Sequence, residues 1–79
     1  MIAISWEYCR RVISFLKEWV NFPEDAFSGS LEKTMAYIKG GISFLIKKNV
    51  FTKEEMKRIA LKYHGIILHN ELFETQAKG

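Results

Sequence analysis

The stretch Leu45-Ile46-Lys47-Lys48-Asn49-Val50-Phe51-Thr52-Lys53-Glu54-Glu55-Met56 decides the fold. Asparagine tolerates the left-handed backbone that closes a helix. Asn49 therefore fits the C′ position, with Val50 at C″ reaching back to Leu45 as in a Schellman ending. Thr52 and Glu55 have the spacing of a capping box, and Phe51 and Met56 that of the hydrophobic staple at N′ and N4. One helix stops and another starts within a few residues. The pattern predicts a tight antiparallel helical hairpin.

Upstream, the second helix is expected over Leu31 to Lys48, with Ser30 as its N-cap. Leu31, Met35, Ile38, Ile42, Leu45 and Ile46 fall within an arc of about 100°, an ordinary one-sided core face. Gly40 and Gly41 interrupt it chemically, each costing about 1 kcal/mol relative to alanine, so a kink or break there is one option. Tyr37 and Phe44 project away from the main stripe. They are expected to form a partner contact, unless Phe22, Phe27 or the C-terminal segment covers them from within the chain.

Downstream, the third helix begins at Lys53 and is expected to bury Met56, Ile59, Ala60, Tyr63, Ile66 and Ile67. Glu54 and Arg58 form an i,i+4 pair in the favourable order. Gly65 either ends this helix or is carried inside it. In the second case Leu61, Leu68 and Leu72 would make a stripe on its opposite side. A short fourth helix after Gly65 is a further option. Residues 74–79 are polar and expected to fray.

The first helix is expected over Ile4 to Val20, ended by Asn21-Phe22-Pro23, because proline lacks the amide that continues the ladder. It carries two apolar stripes. Ile2, Trp6, Cys9, Ile13, Leu16 and Val20 make one; Tyr8, Val12, Phe15 and Trp19 make the other. Together they span about 200°, twice the usual apolar arc of a surface helix, which predicts a helix held between two partners. The fold expected is an all-α, small three-helix bundle in a single domain, 1–79.

That double face carries the functional expectation. The chain has 79 residues, of which 48% are hydrophobic. A domain of this size buries only about 60% of its unfolded-chain surface. One core cannot cover all of these stripes. Burying Phe15 or Trp19 is worth about 1.5–3 kcal/mol each. The expectation is thus a homodimer joined through Tyr8, Val12, Phe15 and Trp19, or a subunit awaiting a larger protein. Its role would be that of a non-catalytic interaction module.

Charge argues for little else. Twelve basic residues face nine acidic ones, giving +3, and each third of the chain carries +1. A nucleic-acid binder usually concentrates its cations. The second expectation is nonetheless a small basic nucleic-acid-binding regulator using Lys53, Lys57, Arg58 and Lys62. Thr52 to Ile66 resembles the first helix and turn of a helix-turn-helix motif. Ala60 and Gly65 are five residues apart, however, one more than that motif uses. The apolar segment Ile66–Phe73 also brings no Arg, Lys or Gln to base edges.

No enzyme, cofactor, metal site or small-molecule substrate is expected. Cys9 lies on the innermost stripe, where a thiol is unreactive. His64 and His69 are too far apart around a helix to share a metal. Glu24-Asp25 and Glu54-Glu55 sit in first turns, where they complement the helix dipole. One cysteine makes no intrachain disulfide. The N-terminal charges follow rather than precede the apolar residues, the reverse of a signal peptide. The uncharged run Gly40–Ile46, seven residues, is far short of the ~20 that span a bilayer. In the first helix Glu7 and Glu18 offset Arg10, Arg11 and Lys17, which disfavours a membrane-surface role. The expected location is the cytoplasm, or the host-cell cytoplasm for a viral protein.

Overall fold

The computed structural model describes residues 4–27 and 29–73. Three α-helices form a small all-α bundle: α1 (Trp6–Leu16), α2 (Leu31–Lys47) and α3 (Lys53–His64). Two 3₁₀ turns, Glu24–Phe27 and Asn70–Phe73, complete it. Ile2 and the tail at 74–79 lie outside the described residues.

The start of each helix follows from its capping residue. The Ser5 hydroxyl accepts from Tyr8 N at 3.1 Å and the Ser30 hydroxyl from Lys33 N at 3.1 Å. The Thr52 hydroxyl accepts from Glu55 N at 3.1 Å, while the Glu55 carboxylate accepts from Thr52 N at 2.9 Å, completing the capping box. At the end of α2, Asn49 has φ 62°, Val50 N donates to Leu45 O at 2.9 Å, and Asn49 N donates to Ile46 O at 3.0 Å. These are the two bonds of a Schellman ending. The junction chemistry is as the residues imply. The principal packing, however, sets α1 against α2, α2 against both 3₁₀ turns, and α1 against α3. α2 and α3 are not among the closely packed pairs, because the C-terminal turn Asn70–Phe73 packs on α2 instead.

α1 ends at Leu16, four residues before the expected Val20. Trp19 N and Val20 N both donate to Leu16 O, and the chain then turns so that Val20 and Phe22 fold onto α2. Their target is Gly41. A β-carbon there would meet Phe22 Cζ at 3.2 Å and Val20 Cγ1 at 3.5 Å, whereas one at Gly40 would meet nothing within 4 Å. α2 runs unbroken through both glycines. The first 3₁₀ turn is tied to the same helix by the buried Thr34, whose hydroxyl donates to Ala26 O at 2.6 Å.

α3 stops at Gly65, in the left-handed conformation with φ 63°. The stripe of Leu61, Leu68 and Leu72 on a continued helix therefore does not form. Leu61 is exposed, whereas Leu68 and Leu72 turn back into the core with Ile66. No α-helix follows Gly65 among the described residues; the chain makes only the 3₁₀ turn. Tyr63 and Ile67, expected in the core, are exposed, and Ile59 is half-buried. The helix ends at His64, one residue after Tyr63, and Ile67 then faces outward between Ile66 and Leu68.

Candidate functional site

The second stripe of α1 has its partner inside the chain. Val12 and Phe15 are completely buried. The Tyr8 hydroxyl donates to Ile67 O at 2.7 Å and accepts from His69 N at 3.2 Å. Phe15 meets the His64 ring edge-on, centroids 5.1 Å apart, and Tyr8 lies 5.1 Å from the His69 ring. Residues 64–69 thus occupy the face expected to join two copies. Val12 and Phe15 are core residues and Tyr8 is a clasp, because the break at Gly65 folds the following segment back onto α1. Of the four expected contact residues, only Trp19 stays substantially open, at 37% exposure.

Trp19 belongs to an aromatic groove. It packs edge-on against Phe15 at 5.3 Å and against Phe51 at 5.1 Å. Glu18, Trp19, Phe51, Ile59, Tyr63 and His64 line a cavity of about 590 Å³, open to solvent. Tyr63 stands on its wall 68% exposed. At one end Glu18 lies 3.7 Å from His64 Nε2, an ion pair whenever the imidazole is protonated. Three parts of the chain converge here: the unwound end of α1, the α2–α3 junction, and one flank of α3.

Arg11 fixes the geometry of that convergence. Its Nη2 donates to His64 O at 3.2 Å and Gly65 O at 3.5 Å, bringing a cation to the C-terminus of α3. A positive charge there favours the helix dipole and satisfies carbonyls that the helix leaves open. No local pattern announced this role, since the contact joins residues 53 and 54 apart. The Tyr8 clasp, across 59 and 61 residues, was equally hidden.

The other expected sites are scattered. Tyr37 is half-buried against the core and Phe44 is 48% exposed, while Phe22 and Val20 cover Gly41 beside them. Part of that patch is therefore closed from within. Lys53 and Lys57 lie on the flank of α3 that meets the C-terminal turn, and Arg58 is exposed. Lys62 stands over the Tyr63 ring at 5.3 Å. The four do not make one continuous face.

Cys9 is fully buried, 3.8 Å from Met35 Sδ, and burial pushes its thiol pKa above the ordinary value. A buried thiol of raised pKa is a poor nucleophile. Among the described residues no three His, Cys, Asp or Glu side chains come together as a metal-binding group. No helix there is long and apolar enough to cross a membrane.

The fold and the groove define a small all-α domain with an open aromatic surface. No family model, curated protein or solved structure matches this chain.

Proposed function

We propose that this chain is a non-catalytic protein–protein interaction module, with the groove of Trp19, Phe51, Ile59 and Tyr63 as its contact surface. Its first partner is a second copy of itself. The observation that carries this reading is the pairing of a partly exposed tryptophan with a largely exposed tyrosine over one apolar cavity. Tryptophan and tyrosine are the residue types that dominate binding energy at interfaces. Contiguous apolar patches on small domains mark contact sites more often than isolated leucines do. A two-fold contact brings two copies of the patch together and so doubles the apolar area covered.

A module of this kind serves as an adaptor, an assembly subunit or an inhibitor that occludes a partner's surface. Its single buried thiol suits the reducing cytoplasm. Sedimentation equilibrium at high micromolar concentration tests the reading. A dimer is expected that tolerates salt and reverts to monomer on Trp19→Asp or Tyr63→Asp. A clean monomer at that concentration, with no partner present, overturns self-association.

A further inference from the structure

The Trp19 groove combines aromatic rings with a negative charge. Three rings, Trp19, Phe51 and Tyr63, and one carboxylate, Glu18, line the same cavity of about 590 Å³. The Trp19 and Phe51 rings stand nearly perpendicular, at 86°, with centroids 5.1 Å apart. Tyr63 is 68% exposed, and its ring already holds a cation of this chain, with Lys62 Nζ 5.3 Å from the centroid. The Glu18 side chain is 55% exposed, and among the described residues only His64 comes within ion-pair distance of it. Whenever that imidazole is neutral, the carboxylate has no cationic partner in the groove. A second open cavity, over Leu31 and Met35, offers the contrast. It too borders a carboxylate, Glu32, but no aromatic ring lines it and Lys39 stands in its wall.

We propose that this groove is an aromatic cage for a quaternary ammonium group, presented by a partner protein as a trimethylated lysine. Aromatic faces are negative and attract a cation within about 6 Å of the ring centroid, most strongly where water is excluded. A quaternary ammonium is bulky and has no N–H, so it gives up little on leaving water and touches several rings at once. A bare ammonium is strongly hydrated and gives up more. Glu18 supplies the compensating charge from the cavity wall. The cavity is larger than the cationic head alone would fill, and Ile59 offers the methylene stem an apolar surface. Lys62 shows that the Tyr63 ring accepts a cation, and it is also a tethered competitor for that ring. The proposal rests on the reading of this groove as a contact surface open to a partner, though not on self-association.

Heteronuclear NMR titration of the intact chain with a short peptide bearing one trimethylated lysine tests the proposal. Saturable shifts are expected at the groove residues. The same peptide with its quaternary nitrogen replaced by carbon keeps the shape without the charge, and is expected to bind about tenfold more weakly. Trp19→Leu and Tyr63→Leu each weaken binding about fivefold, whereas Tyr63→Phe retains it. Glu18→Gln weakens it about threefold. Lys62→Gln tightens it by removing the tethered cation. Glu32→Gln, in the other cavity, leaves it unchanged, and circular dichroism verifies that each variant is folded. Absence of saturable shifts at millimolar peptide overturns the proposal. Equal binding of the carbon isostere overturns it in favour of a plain apolar groove, and free choline bound as tightly as the peptide overturns the assignment to a protein partner. Sedimentation equilibrium on the same samples separates the two readings. A dimer that ignores the peptide leaves self-association standing and refutes the cage; a monomer that binds it does the reverse.

Discussion

Phe15→Leu is the substitution that most directly separates a core residue from an intersubunit one. Phe15 is fully buried, with its ring edge-on to Trp19 at 5.3 Å and His64 at 5.1 Å. Truncation to alanine would cost about 3–5 kcal/mol. At about 0.05–0.15 kcal/mol per residue, the whole domain has only about 4–12 kcal/mol, so the alanine variant would be difficult to measure. Leucine keeps most of the volume and forfeits the aromatic edge contacts, for an expected loss of about 1–2 kcal/mol. In urea that lowers the unfolding midpoint by about 1 M, given the shallow slope of a small domain. The assay is far-UV circular dichroism at two protein concentrations, well separated. Because every contact of Phe15 is intrachain, the difference between variant and parent is expected to be the same at both. A difference that appears only at the higher concentration would place Phe15 between subunits and refute the packing described above.

Other perturbations probe the remaining parts of the fold. Gly40→Ala is expected to stabilise by about 0.5–1 kcal/mol, since nothing crowds the new methyl, and to raise Tm by several degrees. Gly41→Ala gains less because its methyl meets Phe22 Cζ at 3.2 Å; equal gains in thermal melts would show that the ring does not rest there. Tyr8→Phe removes the partner of Ile67 O and His69 N and is expected to cost about 1–2 kcal/mol in chemical denaturation. Burial raises the Tyr8 pKa above the ordinary value, outweighing the opposing hydrogen bond from His69. The folded state therefore holds that proton more tightly than the unfolded one, and stability is lost as pH rises above about 10. A denaturation series across that range should fall less steeply for Tyr8→Phe; Cys9, whose thiol is also raised by burial, contributes a decline of the same sign that this substitution leaves in place. Thr52→Ala breaks the capping box and is expected to cost about 0.5–2 kcal/mol by the same assay.

Local chemistry determined where most of the helices begin and end. Ser30, Asn49 and Thr52 act through hydrogen bonds to residues no more than five positions away, so their roles are readable from spacing alone. The core stripe of α2 was legible for the same reason, since a 3.6-residue period is a property of the backbone. The double apolar face of α1 was legible too, but its partner was not. Whether Val12 and Phe15 meet a second chain or their own C-terminal segment depends on where Gly65 sends the chain. Glycine permits both outcomes, continuing α3 or reversing it. Tertiary structure chose the reversal, because Tyr8 and Arg11 supply partners for carbonyls more than fifty residues away and Ile66, Leu68 and Leu72 gain burial. The Trp19 groove is likewise tertiary, assembled from three separated parts of the chain. Sequence alone determined that α1 must be covered on two sides; only the folded chain decided that it covers most of itself and leaves Trp19 open.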